Sequence, residues 1–422
     1  MGLDARREGM FFSVKQRDWH PGKVYLLICA LRGLGMGCHA TIYSLFLRDI
    51  GIKQDQISAL NSLFWLTLIL SELPTGMLAD GKSRAWSIKV GFLLMSFSIG
   101  GYGLAQGFWS ALAAEALIAV ALAFLSGAEQ AWLVDALEAR GLGHELKKVY
   151  AQNAIWSATA ALTGGFLSDL LAQYWGYRLG WFVGGVFMSA GFVLALVCLG
   201  KQGEPKKRLT EWQALKASVA ALKASPALIW AVAAAMSLGF INPFNHFWSQ
   251  FFHGRLQGGS LGWIWIVVYG SCALAGVIIK RVSFVRGREA GAILGLLFLT
   301  AAGYAVIGRF DGVYLPLLMV VLHEVGRGAY MPLADVFVQR RIESNFRATY
   351  GSLHSFLGRM GNAVILAGVW YFSRSLPDGE EKILSIWSVT GGMLLIAVLL
   401  LWFLRPSAKP EPLVVTTASS TQ

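Results

Sequence analysis

Charged side chains interrupt several long apolar blocks of this sequence. Arg32 and Glu129 each lie in such a block, and another block holds Glu324 with Arg327 three residues further on. An ionisable side chain inside a membrane costs about 2.5–3.5 kcal/mol on insertion scales, so it usually faces protein or a water-filled cavity. A carboxyl group in such a place can take up and release a proton, and a guanidinium group can bind an anion or hold a carboxylate.

The apolar blocks themselves are those of an integral membrane protein. Hydrophobic residues make up 55% of the 422 residues and charged residues 14%, whereas soluble domains carry about 25% charged residues. The blocks have the length of ~20 residues that a helix needs to cross hydrocarbon, and a helix satisfies its own backbone hydrogen bonds there. We predict an all-α fold with twelve spans, over 23–47, 56–80, 86–107, 110–137, 149–172, 177–200, 225–251, 260–281, 288–308, 312–338, 348–372 and 383–405.

The basic residues predict the orientation of these spans. With the N-terminus in the cytoplasm, cytoplasmic segments hold 26 of the 36 Lys and Arg residues and outer loops hold seven. Positively charged loops remain on the cytoplasmic side. We therefore expect a multi-pass protein of a bacterial inner membrane with both termini cytoplasmic. The same bias accounts for the formal net charge of +12, so nucleic acid is not an expected partner.

A polar segment divides the spans into two sets of six. We predict a cytoplasmic segment 1–22, a bundle 23–200, a linker 201–224, a bundle 225–405 and a disordered tail 406–422. The linker has amphipathic spacing from Thr210, which favours a helix on the inner membrane surface, although a flexible linker is the alternative. The two halves also share residues at an offset of 200, including Gly76 with Gly276 and Asp135 with Asp335, as parallel repeats in transporters do.

The segment 71–90, SELPTGMLADGKSRAWSIKV, resembles the signature between helices 2 and 3 of the major facilitator superfamily. Gly76, Asp80 and Arg84 fit its pattern of a Gly, an Asp four residues on and a basic cluster. The segments 126–141 and 347–353 are similar to those of bacterial drug and metabolite exporters in this superfamily. The resemblance implies two pseudo-symmetric six-helix bundles around a central cavity lined by helices 1, 4, 7 and 10.

On this resemblance we expect gating residues at the cytoplasmic helix ends. Gly76 would let helix 2 approach a neighbour closely, and Asp80 would pair with basic groups such as Arg84 to close the gate. Asp135 and Asp335 occupy helix ends at equivalent places in the two halves. We interpret both as gate or inter-helix pairing residues.

The charged residues then fall on cavity-lining helices. Arg32 and Glu129 have similar predicted depth, and we hypothesise that they pair. Glu129 and Glu324 are the candidate proton-coupling residues. The candidate substrate-binding residues are Arg32, His39, Asn242, Asn245, His246, Trp248, His323 and Arg327. The alternative for each charged pair is that it only joins helices, and a lone histidine such as His39 or His246 can equally be a packing residue. Trp65, Trp132 and Trp248 are candidates for stacking on a solute.

These features favour a transporter rather than an enzyme. The sequence has no phosphate-binding Gly-rich loop and no metal-ligand spacing, so we expect neither a cofactor nor a metal. The leading hypothesis is a secondary active transporter that exports drugs or metabolites by proton-coupled antiport. A receptor is disfavoured because the sequence shows no large soluble domain to signal through. The alternative is proton-coupled or exchange uptake of an anionic metabolite such as a polycarboxylate or siderophore. The expected partners are a small solute, protons and membrane lipid, and we expect a monomer.

Overall fold

The computed structural model of this chain is built from α-helices. It describes residues 19–200, 211–256, 258–279, 281–282, 288–342 and 347–406. Sixteen α-helices occur in these ranges. They are α1 Pro21–Ala40, α2 Tyr43–Asp49, α3 Gln54–Lys82, α4 Arg84–Tyr102, α5 Phe108–Leu125, α6 Ala128–Glu138, α7 Leu146–Trp175, α8 Tyr177–Cys198, α9 Glu211–Ala224, α10 Pro226–Ser237, α11 Asn242–Arg255, α12 Leu261–Ile279, α13 Glu289–Val306, α14 Tyr314–Gln339, α15 Arg347–Ser373 and α16 Glu380–Phe403.

These helices form twelve spans. Span 1 consists of α1 and α2, span 4 of α5 and α6, and span 7 of α10 and α11, whereas each of the other nine spans is one helix. Helix α9 lies between spans 6 and 7 along the chain, within the predicted linker. The predicted N-terminal segment, the first half of the linker and the tail fall almost entirely outside the described residues.

About half of the spans are long and apolar enough to be recognised as membrane-crossing helices from their own length and mean hydropathy. In the described part of the chain, spans 4, 6, 7, 8, 9 and 12 pass on both measures, and span 1 passes if its two bent helices count as one. Several of the remaining spans carry ionisable residues, for example Glu72 in span 2 and Glu324 with Arg327 in span 10. These ionisable residues lower the mean hydropathy of their spans. The same spans still pack among apolar helices.

Three spans are broken within their length. Span 1 bends by 45° between α1 and α2, and span 7 passes through a 3-10 turn at Leu238–Ile241. Span 4 breaks at Ser126 and Gly127, where Gly127 has a φ of 74°, a conformation that glycine adopts at little cost. Breaks of this kind turn side chains and backbone groups toward a cavity between spans.

Small residues allow span 1 to lie close against span 5. A Cβ atom added at Gly164 would lie 2.5 Å from the carbonyl oxygen of Leu34, and one added at Gly37 would lie 2.6 Å from that of Ala161. Close backbone approach at small residues is a common basis for helix association in membranes, where the hydrophobic effect between helices is weak. Span 1 is thereby fixed to its own half of the molecule.

The two halves meet along two pairs of spans. Span 2 packs against span 11 and span 5 against span 8. Ser62 donates a hydrogen bond to the carbonyl of Ala363 at 2.8 Å, and Trp265 donates one to the carbonyl of Ala161 at 3.2 Å. These pairs frame the space between the halves.

One end of the molecule is closed by charged contacts between the halves. We call it the distal end, because it lies opposite the end that carries described residues 19 and 406, the proximal end. Lys382 is buried and contacts Asp55 of the other half at 2.9 Å and Asp378 at 3.0 Å. Arg48 contacts Asp378 across the halves at 2.5 Å. Partial burial alone would raise the pKa of the Asp378 carboxyl, but hydrogen bonds from Lys382 and Arg48 outweigh it and lower this pKa.

We predict that Gly164→Ala destabilises the protein by about 1–3 kcal/mol, because a backbone oxygen cannot move aside for the new methyl group. The measurement is the midpoint of thermal unfolding of the purified protein in detergent. Gly295→Ala is the matched control, since Gly295 lies in α13 with no atom within 4 Å of an added Cβ. Equal midpoints for the two variants would contradict the proposed close approach of spans 1 and 5.

We predict that Lys382→Met opens the distal end, because it leaves Asp55 and Asp378 without their shared cation. Removing one partner of a buried ion pair costs about 3–5 kcal/mol, so the ratio of open to closed molecules should rise roughly a hundredfold or more. Spin labels at exposed Lys53 and Ser375 report the change as a longer distance.

Lys148→Met removes an exposed lysine at the proximal end and serves as the control for this experiment. It should leave the distance distribution between the two labels unchanged. An unchanged distribution in Lys382→Met would show that the ion pairs do not hold the distal end closed.

Candidate functional site

A cavity of about 400 Å³ lies between the two halves. Seven spans line it, namely spans 1, 2, 4, 6, 7, 8 and 10. The polar side chains in its lining are His39, Tyr43, Asn61, Glu115, Asn242, Asn245, His246, Glu324, Arg327 and Tyr269, and the other aromatic ones are Phe64, Trp65, Trp181, Phe244, Trp248 and Trp265. Apolar and aromatic walls with a few polar groups are typical of small-molecule sites.

The break in span 7 brings one end of α11 to the cavity. Pro243 occupies the first turn of α11. A proline is tolerated there because backbone N–H groups in the first turn have no hydrogen-bond partner within the helix. Asn242 precedes this proline, Asn245 and His246 lie three and four residues after Asn242, and all three line the cavity. Three of the predicted substrate-binding residues are therefore together, and Nδ1 of His246 makes no hydrogen bond to the described protein.

Span 10 contributes an ion pair to the same cavity. Glu324 is fully buried, and Arg327 contacts its Oε2 through Nε at 2.9 Å and Nη2 at 2.5 Å. Nη1 of Arg327 also donates to Oδ1 of Asn245 at 3.1 Å, which links spans 7 and 10. The second oxygen of Glu324 has no hydrogen-bond partner among the described residues. This carboxylate can therefore accept a proton on one oxygen while the other remains held by the guanidinium group.

His323, a predicted substrate-binding residue, does not line the cavity, although its Nε2 lies 3.7 Å from Oε1 of Glu324. It is fully buried, its Nδ1 lies 3.1 Å from the carbonyl oxygen of Thr300, and its ring packs on Phe244 and Tyr304. Adjacent residues of a helix point in directions about 100° apart, so His323 does not share the direction of Glu324 into the cavity. Glu324 and Arg327 share one side, and His323 packs into its own half.

Arg32 and Glu129 form the predicted pair, with Nη2 of Arg32 3.0 Å from Oε2 of Glu129. The pair does not line the cavity. Arg32 lies seven residues before His39, which corresponds to about 10 Å toward the proximal end of α1. Arg32 and its partner Glu129 therefore lie outside the cavity lining in this conformation, and solute contact by Arg32 stays a prediction.

A second ion pair lies at a similar level and joins the two halves. Glu72 of span 2 contacts Arg359 of span 11, and Ser126 at the break in span 4 donates to Glu72 at 3.4 Å. Glu72 lies seven residues after the cavity residue Trp65, also about 10 Å toward the proximal end. A polar layer thus separates the cavity from the proximal end.

The predicted gating residues lie in different surroundings. Arg84 pairs with Asp135 and donates to the carbonyl of Ala131 at 2.9 Å, so it joins spans 3 and 4 within one half. An added Cβ at Gly76 would meet no atom within 4 Å, so the expected close approach of span 2 at this glycine is absent in this conformation. Asp80 lies in α3, but its side chain is outside the described part of the structure, and Asp335 is exposed on α14.

Glu115 and its neighbours form a group in the cavity wall that was not among the predicted site residues. Glu115 lies in the distal part of span 4 and lines the cavity. Its Oε1 accepts hydrogen bonds from the hydroxyl of Tyr43 at 2.5 Å and that of Tyr102 at 3.2 Å, while Asn61 donates to the Tyr43 oxygen at 2.8 Å. The only signal in the sequence was a lone carboxylate in an otherwise apolar block.

Aromatic rings form walls on both sides of the cavity. On one side His39, Trp181 and Tyr102 form a continuous stack, with centroid distances of 4.5 and 4.1 Å. On the other side Trp248 stacks on Trp265 at 5.9 Å. Trp65 and Trp248 therefore line the cavity as stacking candidates, whereas Trp132 is buried elsewhere in the core.

Comparison with known proteins identifies a family for this fold. The model of the Major Facilitator Superfamily matches residues 25–366. No curated protein sequence matches the chain significantly. The fold is similar to the crystal structure of the nucleoside transporter NupG, with 13% identity over 92% of this chain and 99% of that chain and a TM-score of 0.74.

Two further solved structures share the fold. A crystal structure of a D-xylose–proton symporter has 14% identity over 92% of this chain and 98% of that chain, with a TM-score of 0.71. A bacterial homologue of the human lysosomal transporter Spinster, in an inward-facing conformation, has 15% identity over 91% and 94%, with a TM-score of 0.65. At these identities the likeness concerns the fold.

We predict that Glu129→Gln lowers the stability by about 1–3 kcal/mol, because it leaves the Arg32 guanidinium without its carboxylate. Thermal unfolding in detergent measures the loss. The double variant Arg32→Gln/Glu129→Gln should regain part of it, since two amides can hydrogen-bond to each other. Purely additive losses in the double variant would show that the two residues do not interact.

Proposed function

Because this chain belongs to the Major Facilitator Superfamily and is a secondary transporter of small solutes, we propose that it exports small organic compounds by proton-coupled antiport. The solute would bind in the cavity between the halves, and the halves would rock about it to expose the cavity to one side at a time. Drugs or metabolites are the proposed solutes. The proposed location is a bacterial inner membrane, with both termini in the cytoplasm and the protein acting as a monomer.

The Glu324–Arg327 pair is the observation that carries the coupling proposal. Glu324 is fully buried, lines the cavity and has one oxygen that receives no hydrogen bond from the described residues. When a proton neutralises this carboxyl, its attraction to Arg327 weakens, and the guanidinium group, which already donates to Asn245, can turn toward the solute. Protonation and solute binding would then be linked through one guanidinium group, which is the physical requirement for coupling.

The contacts at the two ends support alternating access. The distal end is closed by ion pairs between the halves, and the Glu72–Arg359 pair joins the halves on the proximal side of the cavity. Contacts within a half, such as Arg84 with Asp135, can persist while the halves move. Those between halves have to exchange, so they are the proposed gates.

The direction of transport rests on the sequence segments that resemble exporters. The alternative, uptake of an anionic polycarboxylate or siderophore, relied on two arginines in the cavity. Arg32 is paired with Glu129 outside the lining, and Arg327 is already held by Glu324. An anion would therefore have to compete with a carboxylate for the one arginine that lines the cavity, which favours the export proposal.

We predict that Glu324→Gln abolishes proton-driven transport while solute exchange without a pH gradient continues. The amide cannot be deprotonated, so solute movement no longer requires proton movement. The measurement is solute flux in proteoliposomes with and without an imposed pH gradient, and we expect the gradient-driven rate to fall roughly a hundredfold.

Glu129→Gln is the comparison variant, because Glu129 is the second candidate coupling residue and lies outside the cavity. We expect it to keep most of the gradient-driven rate. If Glu129→Gln lost the gradient-driven rate and Glu324→Gln kept it, Glu129 in span 4 would be the coupling residue. Retention in both would contradict coupling through either carboxyl.

A further inference from the structure

Glu115 differs from the other carboxyl group in the cavity lining. Glu324 is paired with Arg327, whereas no basic group lies within ion-pair distance of Glu115 among the described residues. Its side chain is buried, with the residue only 5% exposed. Burying a charge without a counter-charge costs several kcal/mol. An isolated carboxyl in this place therefore holds either a proton or a cation from outside the protein.

The contacts of Glu115 leave one of its oxygens for a ligand. Tyr43 and Tyr102 both donate to Oε1, and no group in the described part of the chain donates to Oε2. Asn61 fixes Tyr43 by donating to its hydroxyl oxygen. Three spans therefore hold the carboxyl in one orientation, as a prepared binding group requires.

The charges of the lining add up to an excess of negative charge. Glu324 and Arg327 compensate each other, and the two histidines that line the cavity can be neutral. Ionised Glu115 would then be an uncompensated negative charge. A cationic solute would compensate it, whereas an anionic solute would add to the imbalance.

The surroundings of Glu115 suit an aromatic cation. Tyr43, Phe64, Trp65 and Trp181 line the same half of the cavity. Aromatic faces attract cations and also stack on planar rings. The cavity volume of about 400 Å³ lies near the small end of ligand pockets, so a compact molecule with one or two rings is the size that fits.

We propose that Glu115 binds the ammonium group of a small aromatic amine and that this cation and a proton compete for the carboxyl group. In the proton-bound state Glu115 is neutral. Binding of the amine releases that proton, and the carboxylate then pairs with the ammonium group. This inference deepens the proposed transport function by naming the charge and chemical class of its solute.

Other titratable groups surround this position and belong to any pH response. The phenols of Tyr43 and Tyr102 contact Glu115 directly. His39 lies beyond Trp181 in the ring stack, and the His246 ring lies 6.5 Å from that of Tyr43. A response that belongs to Glu115 must therefore disappear when Glu115 alone is changed.

The test is equilibrium binding of radiolabelled tryptamine to the purified full-length protein in detergent, without any gradient. Unlabelled tryptophol, which replaces the ammonium group by a hydroxyl, and indole-3-acetate, which carries a negative charge, are the competitors. We expect tryptamine to bind, both competitors to be much weaker, and the tryptamine affinity to rise with pH until the carboxyl is fully ionised.

Glu115→Gln should weaken tryptamine binding roughly 30-fold or more, the loss expected when one member of a desolvated charge pair is removed, and should remove the pH dependence. Glu115→Asp, which keeps the charge, should retain most of the affinity. Glu381→Gln makes the same chemical change at an exposed position outside the cavity and should bind as the unchanged protein does. Thermal unfolding confirms that each variant is folded.

The proposal is wrong if tryptamine does not bind, if tryptophol competes equally well, or if Glu115→Gln keeps both the affinity and its pH dependence. If Glu115→Gln does not fold, the same binding curves for Tyr43→Phe decide, since loss of the 2.5 Å hydrogen bond must change the pH dependence. Binding requires no gradient, so loss of proton-driven flux in liposomes with normal tryptamine binding would count against proton-coupled export and not against this site.

Discussion

The low polarity of the membrane interior is the constraint on which this structure depends, because every charge placed there requires a partner. The spans of this protein satisfy it with arginine–carboxylate and lysine–carboxylate pairs at different depths. The pairs are Arg32 with Glu129, Arg359 with Glu72, Arg327 with Glu324, and Lys382 with Asp55 and Asp378. A pair within one half fixes the shape of that half, and a pair between halves stabilises one conformation over another.

In the proposed transport cycle, protons and solutes shift the conformation because they change these charge balances. Neutralising Glu324 removes part of the attraction that holds Arg327, and a cation at Glu115 compensates a charge that has no protein partner in the described residues. Both carboxyls line the same cavity, one on each half. Changes in their charge therefore act where the two halves meet, and closure of the distal end by ion pairs responds to the same movement.

The sequence predicted the helical spans better than it predicted which side of each helix faces the cavity. Apolar blocks and basic loops define spans and their order, because length and charge are properties of the chain itself. Depth along a span also follows from residue counting, and it predicted the pair of Arg32 with Glu129 correctly. Rotation about the helix axis does not follow from counting, so His323 was assigned to the cavity and Glu115 was overlooked. The breaks in spans 4 and 7 alter that rotation further, and only the packed structure reveals them.

The proposed transport cycle requires that solute and proton share one cavity and move in opposite directions. The direct measurement is the internal pH of proteoliposomes that contain the protein and a pH-sensitive dye, after a gradient of tryptamine alone is imposed. We predict proton movement against the amine flux, in a fixed ratio to it and well above the background that neutral tryptamine causes by crossing liposomes without protein. Amine flux through the protein with no accompanying proton movement would contradict it.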